Sequence, residues 1–505
     1  MQNALSCLAA ATLLVAAAPA HGKTVQVGPS KAITHPNTAV AQLADGDVLE
    51  IDAGTYTNVK CNFGSRNNLT IRGVGGRVWL RGTANDLAAG KGIFVFAGSN
   101  ITVEGIEFSD ATLAQDKNGA GIRWQGQGLV VRRCNFHDND DGILAGDSPN
   151  ADVLIEYSIF DNNGFGDGQS HNIYVNRARK LTIQHSVFTR AYIGHEIKSR
   201  AFENLILYNR ISDGNARTSR SIDLSEGGTS TLIGNVIEQG ATADNNTVIG
   251  YALENPNTHT LALTLVNNTI VNKRQTVRFI QMRDTTKLTL INNIFYSTTV
   301  AGTLVAGNGT VTGQNNYVPS GAAGAGGLSG SFNGALSFVS LANVDFRLQA
   351  GSVAIDKGIA PVAATLEPKW QYVHPAMRVA RAVVNGTIDV GAYEFGTPQS
   401  SDGGSPPADG GSPPSDGAAT ESGPPPGDGA PPAGDSARGV DGSSPGADGS
   451  SPATDSGSSG DGGGGGGDDG GCCSLAGGSA PTGGAVCLAL LLLLAWSWRR
   501  RRRPI

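Results

Sequence analysis

Between Lys23 and Phe395 the chain repeats itself at a spacing that only a few architectures accept. Apolar residues at Phe108, Phe136, Phe160, Phe188, Ile211, Ile237, Ile270, Phe295 and Val318 follow at intervals of 28, 24, 28, 23, 26, 33, 25 and 23 residues. Two positions earlier runs a second column: Ile106, Cys134, Ser158, Ser186, Asn209, Asn235, Asn268, Asn293 and Asn316. Stacked amides in register can hydrogen-bond as a ladder, as identical side chains do in other parallel arrays. Each turn also carries alternating text such as LTIQHSVF (181–188) and LTLINNIF (288–295), bounded by Asn, Gly and Asp, which is strand-and-turn chemistry. Sandwiches and propellers need hairpins and longer repeats, whereas a solenoid of about 20 to 30 residues per coil fits. The pattern predicts an all-β chain: a right-handed, single-stranded parallel β-helix over 23–395, with coils from residue 24 to about 335 and the Phe column stacked inside.

The repeated text resembles the pectin-lyase-like right-handed β-helix superfamily over nearly all of this region. A solenoid must cover both ends, because an open coil exposes core and unpaired backbone. DFRLQAGSVAIDKG (345–358) and DVGAYEF (389–395) resemble a terminal module of bacterial secreted β-helix proteins. That resemblance implies that 335–395 is a C-terminal cap in which Asp356 and Asp389 are structural.

Outside the repeat the composition changes abruptly. The first 22 residues carry no charged side chain, run apolar from Leu8 to Ala18 and end in Ala18-Pro19-Ala20. This reads as a signal peptide over 1–20. Residues 396–471 are almost wholly Gly, Ser, Pro, Ala and Asp, too poor in apolar surface to fold, and are expected to form a disordered stalk. Residues 472–505 hold Cys472-Cys473, an apolar run from Ala485 to Trp498 and five Arg from 499 to 503. This resembles the C-terminal sorting tag of myxobacterial surface proteins, which implies removal of the helix and attachment near Cys472. An ordinary membrane anchor with its Arg cluster on the cytoplasmic side is the alternative. Either way an exported monomer tethered at the cell surface, on the outer membrane, is expected. Cys61 and Cys134 are the remaining thiols of the repeat region, too few for a disulfide framework; Cys134, on the inward column, reads as a small buried hydrophobe. Eleven Asp and Glu421 against Arg438 give the stalk a charge of −11, while the net charge of the chain is −6. The repeat region is therefore close to neutral, and steering of nucleic acid is not expected.

A third column, Ile93, Ile122, Ile143, Ile173, Ile197, Ile222 and Ile249, marks another strand of each coil. If these Ile face the core, the residues one before, one after and three after them face solvent by strand alternation. That face is polar only in the middle coils: Arg123 and Gln125; Asn172, Tyr174 and Asn176; Glu196, Lys198 and Arg200; Ser221, Asp223 and Ser225. His171, His195, Arg220 and Glu226 lie at the strand ends. Coils stack at about 4.8 Å, so Tyr174, Lys198 and Asp223 should form one row.

The runs SHNIYVN (170–176), GHEIKSRA (194–201) and SRSIDLSEGG (219–228) loosely resemble the alginate-lyase and chondroitinase-B type of polysaccharide lyase. There a carboxylate-rich strand precedes a catalytic Lys, and an Arg follows one coil later. Glu196 with Lys198 or Arg200 matches the first half; the position of the later Arg falls near Ser225. Elimination beside a uronate carboxylate needs a neutralising cation, a base and an acid. Arg200 and Arg220 would neutralise, Lys198 would be the base, and Tyr174 or His171 the acid. Arg123, Asn172, Asn176, Arg220 and Glu226 would bind substrate. Ca²⁺ held by Glu196 and Asp223 could replace the arginines, being a cation that takes oxygen ligands. The expected partner is an acidic polysaccharide, either cleaved by a lyase or held by a non-catalytic glycan-binding or adhesion module.

Overall fold

The computed structural model describes residues 22–254, 259–360 and 363–397. The segments read as signal peptide and C-terminal tag, and the stalk from residue 398 onward, lie outside the described residues. The repeat forms a parallel solenoid of about 11 turns, most coils contributing one strand to each of three faces, here called the first, second and third sheets, of which the first two are continuous through the long strands Val48–Tyr56 and Thr70–Arg81. One coil illustrates the plan: Ala178–Gln184 lies in the first sheet, Val187–Thr189 in the second and Ile197–Ser199 in the third. Each pairs in parallel register with its counterpart in the next coil, as Leu181 with Asn204, Phe188 with Ile211 and Ile197 with Ile222.

The core follows from that register. Phe108, Phe136, Phe160 and Phe188 are fully buried, with ring centroids 4.9, 4.7 and 4.7 Å apart and ring planes within 9° of parallel. Parallel strands dictate this contact, because a residue at a fixed place in one coil must sit over the same place in the next.

The corner between the first and second sheets is made by one left-handed residue, among them Tyr208, Asn267, Asn292 and Asn315, with φ between 51° and 57°. The next residue turns inward, and there the Asn ladder forms. Asn268 Oδ1 accepts from the Asn235 amide at 3.0 Å and from Asn235 Nδ2 at 2.8 Å. Its own Nδ2 donates to Asn293 Oδ1 at 2.9 Å and to the Leu232 carbonyl at 2.9 Å. Earlier coils substitute Ser: Ser158 Oγ accepts from the Cys134 amide, and Ser186 Oγ from the Ser158 amide. Burial pushes the Cys134 thiol up to about 12, so it behaves as an inert apolar group.

The N-terminal end is covered by Pro36–Ala39 and Val40–Gln42, whose Ala39 and Val40 join the core beside Val25 and Leu43. The C-terminal module differs from expectation, because it lies along the flank of the coils. Val390, Ala392, Tyr393 and Phe346 pack on Val187, Val236, Val271 and Ile294, outward positions of the second sheet that have become apolar. Asn267 Nδ2 donates to the carbonyls of Asp389 and Gly391, and the Tyr208 hydroxyl accepts from the Lys369 amide at 3.0 Å. Asp389 closes the module by accepting from the amides of Asp356 and Phe395. Apolar outward residues at consecutive coils need a cover, which is why this segment folds back over them.

Asn268→Ala should cost about 3 kcal/mol or more, since it leaves several dry backbone and amide groups unmet at about 1–3 kcal/mol each. Urea unfolding followed by circular dichroism measures this; a shift equivalent to less than about 1 kcal/mol would show that the ladder merely fills space.

Candidate functional site

The outward row of the third sheet reads, coil by coil, Arg123, Leu144, Tyr174, Lys198, Asp223, Gly250, Gln281 and Ala306. Tyr174 thus neighbours Lys198, and Lys198 neighbours Asp223. A second outward row, two residues further on, holds Asn176, Arg200 and Ser225. The Ile column is out of step once: Phe94, rather than Ile93, pairs with Ile122.

Three expected surface positions are corrected. Asn172, Glu196 and Ser221, each one residue before the Ile column, are fully buried. Strand alternation does not extend to them, because the strands begin at Ile173, Ile197 and Ile222. The preceding residue lies in the bend from the second sheet, which turns its side chain inward; at the equivalent Gly142, an added Cβ would stand 2.8 Å from the Phe160 ring. Asn172 is therefore a rung of an internal ladder, not a substrate ligand. Asn163 Nδ2 donates to Asn172 Oδ1 at 2.7 Å, and Asn172 Nδ2 donates to Glu196. The other Glu196 oxygen accepts from the Ala191 amide at 3.1 Å and Thr218 Oγ1 at 3.2 Å. Burial raises the Glu196 pKa, outweighing these donors, and holds the carboxyl largely protonated at neutral pH.

Glu196 and Asp223 consequently do not converge as the expected Ca²⁺ pair. Asp223 lies on the outward row and accepts from Arg220 Nη1 at 3.1 Å and from Ser225 Oγ. Burial works to raise its pKa, but His195, Arg220 and Lys198 together pull it down to about 2. The described residues contain no group of three or more His, Cys, Asp and Glu arranged to hold a metal ion.

His171 and His195 form a buried stack, with centroids 4.9 Å apart and planes 7° from parallel. The His195 amide donates to His171 Nδ1 at 3.0 Å, and the Arg220 amide to His195 Nδ1 at 3.1 Å. Each Nδ1 is thus an acceptor, so the ring proton sits on Nε2. Burial holds the pKa of His171 well below the usual range and lowers that of His195 to about 3. His171 is a neutral ring pinned to the backbone, which does not suit the role of acid expected of it.

The exposed part of the face is a network of charges. Glu254 bridges Lys198 Nζ, at 3.1 Å, and the Arg200 guanidinium. Both cations lie over the Tyr174 ring, each 5.4 Å from its centroid. Glu226 is 3 % exposed and grips Arg177, with Arg200 Nε at 3.8 Å and His259 Nε2 at 3.8 Å. It is an internal brace, not the substrate ligand expected at this position. Arg220 braces Asp223, and a Cβ at Gly250 would stand 2.6 Å from Asp223 Oδ1 and 2.9 Å from Arg220 Cδ, so glycine leaves room for that pair. Among the described residues the buried Nε–H groups of Arg123, Arg200 and Arg220, and Asn176 Oδ1, make no hydrogen bond.

Arg177, Glu254, His259 and Arg283 were not visible as site residues in the repeat. They sit in the turns after the third-sheet strands, where coil lengths vary and no column runs. One signal was available: Glu254 follows Ala252, the successor of Arg200 and Ser225 in the second outward row.

Residues 41–170 and 150–318 match the family model described as "Right handed beta helix region", and the chain belongs to that family. Among solved structures it is similar to pectate lyase Pel9A, at 14% identity and a TM-score of 0.50, covering 74% of this chain and 96% of that one. At that identity the likeness establishes the fold. No curated protein matches the chain.

Glu196 generates a pH prediction. Its folded-state pKa is raised above the value of 4.5 for a free Glu, so between those two values the folded state binds more protons than the unfolded one. Stability should therefore fall as pH rises from about 5 to about 8. Glu196→Gln should flatten that slope in melting temperatures taken across the range. An unchanged slope would show that the carboxyl is ionised in the folded protein.

Proposed function

We propose that the third-sheet face from Arg123 to Asp223 binds an acidic polysaccharide, laid along the solenoid so that neighbouring coils contact successive sugars. The observation that carries this is the gathering of four cations, Arg123, Lys198, Arg200 and Arg220, on one face around the Tyr174 ring and Asp223, with the buried Nε–H groups of the three arginines making no hydrogen bond among the described residues. Leaving such donors unmet is costly. An extended, acceptor-rich anion would meet the solvent-facing parts of these side chains, and carboxylates suit the planar guanidinium fork. Localisation supports the same reading: the unbroken polar run of the row is Tyr174, Lys198 and Asp223, with Leu144 before it and Gly250 after it. A face that served only solvation would need no such restriction.

On this reading Lys198 and Arg200 take uronate carboxylates, Arg123 and Arg220 contact flanking sugars, Asn176 binds hydroxyls and Tyr174 offers a ring for stacking. The exported chain, tethered by its C-terminal segment, would present this strip at the cell surface. Neither the fold likeness nor the geometry assigns a Ca²⁺ site.

Cleavage by β-elimination is the second reading, favoured by the direct pairing of Tyr174 and Lys198 on adjacent coils. Lys198, once free of Glu254 and in its neutral amine form, would take the proton beside the carboxylate, and Tyr174 would protonate the leaving oxygen. Asp223 is an unsuitable base, because a carboxylate held at about 2 binds a proton weakly.

Polygalacturonate, alginate, hyaluronan and chondroitin offered to the purified protein should give binding that weakens as salt rises, with unsaturated-product absorbance deciding between the two readings. Lys198→Ala should weaken binding about tenfold, near 1.4 kcal/mol, and abolish any elimination. Its melting temperature should stay close to wild type, because an outward Lys contributes little to the core. Unaltered binding in Lys198→Ala would remove this residue from the site, and an absence of binding to all four polymers would overturn the reading.

A further inference from the structure

Glu254 touches the face from outside the repeat columns, and its position differs from that of every other carboxylate there. Asp223 and Glu226 are each 3 % exposed at the side chain, whereas Glu254 is 36 % exposed. Its backbone is fixed: the Glu254 amide donates to the Ser225 carbonyl at 2.9 Å, and Arg283 Nη2 donates to the Glu254 carbonyl at 2.6 Å. Among the described residues the side chain is held through its carboxylate, one oxygen on Lys198 Nζ and the other on the Arg200 guanidinium.

These two cations are the ones the proposed reading assigns to a uronate carboxylate. They are 13 % and 23 % exposed, more enclosed than the group that joins them. Both lie 5.4 Å from the centroid of the Tyr174 ring. The arrangement is a slot sized for one carboxylate, with two cations at its base and an aromatic ring as a wall, already filled from the solvent side. Arg200 also keeps Glu226 as a second, buried counter-ion at 3.8 Å, so it does not depend on Glu254 for neutralisation.

We infer that Glu254 is an internal stand-in for the carboxylate of a hexuronate: its side chain occupies the anion subsite of Lys198 and Arg200 and is displaced when a uronic acid enters. This rests on the proposed acidic-polysaccharide reading and deepens it, by naming the group recognised and the residue that competes with it. The exchange requires rotation of one side chain about a fixed backbone. It conserves charge at the slot, since one carboxylate leaves as another arrives, so a neutral sugar or an esterified uronate cannot compete on equal terms. Glu254 therefore acts as a specificity device, because only a ligand that brings its own carboxylate can replace it.

The test compares wild type, Glu254→Gln and Glu254→Ala by calorimetric titration with galacturonate, glucuronate, polygalacturonate and fully methyl-esterified polygalacturonate. Melting temperatures confirm that all three proteins are folded. If Glu254 competes, both variants bind the free uronates and polygalacturonate about tenfold more tightly than wild type, equivalent to about 1.4 kcal/mol. The methyl ester then gains nothing. Wild-type binding to polygalacturonate that is equalled or weakened in both variants overturns the exchange and leaves the polysaccharide reading intact. Tighter binding of the free uronates with no polymer bound by any protein supports the exchange and overturns the polysaccharide reading. Absence of binding throughout overturns both.

Discussion

The constraint on which the rest of this molecule depends is parallel register from coil to coil. A residue at one position stands about 4.8 Å from its counterpart in the next coil, so each choice of side chain is also a choice of its neighbour. The Phe stack exploits this inside the second sheet, and the Asn ladder exploits it at the corner. In the ladder the left-handed residue before each Asn ends one strand, and the Asn closes the bend by accepting the amide of the preceding coil. The same rule works against unlike neighbours: a charged group placed in a column meets whatever the next coil offers. On the third sheet that produces Tyr174, Lys198 and Asp223 in direct succession.

Two carboxyl groups on successive coils show how far position decides chemistry. Glu196 and Asp223 are separated by one coil, and both are buried. Glu196 points into the bend, where its neighbours are amides and a hydroxyl, and burial leaves it holding a proton. Asp223 points outward beneath His195, Arg220 and Lys198, and remains ionised to about pH 2. Desolvation opposes charge in both; a nearby cation reverses it in one. A stack that keeps one carboxyl neutral inside and another charged outside separates packing from electrostatics across a single strand.

The fold was legible in the amino-acid order because both columns are set by packing, and packing leaves a periodic trace. The Phe column, the Asn ladder and the row from Tyr174 to Asp223 all follow from counting residues per coil. Asn172 and Glu196 were misplaced for a physical reason: alternation is a property of strands, and strands of three residues end before the flanking positions. The charge partners Arg177 and His259 left no trace, since turns of unequal length carry no column, and Glu254 left only its place two residues after Ala252. The C-terminal module was legible as a cover but not in its direction. The apolar outward residues that it covers, Val187, Val236, Val271 and Ile294, are spread over coils that look alike in the repeat.

The charged face divides into an inner and an outer layer, and that division bears on how a solenoid recognises a polymer. Glu226 and Asp223 form the inner layer, enclosed and fixed by Arg177 and Arg220. They are the enclosed carboxylates against which Arg177, Arg200 and Arg220 rest. Glu254 forms the outer layer, more exposed and, among the described residues, bound through its carboxylate. A rigid inner layer pre-organises Lys198 and Arg200, so the ordering cost of the site is met during folding, not during binding. An exchangeable outer layer keeps those cations neutralised until a competing anion arrives. Because neighbouring coils carry different side chains along this row, an extended polysaccharide of the kind proposed would meet the exchangeable pair at one sugar and fixed donors on either side. On the proposed reading that arrangement would set the register of a polymer by one charged contact, with Arg123 and Arg220 adding affinity at a distance from it.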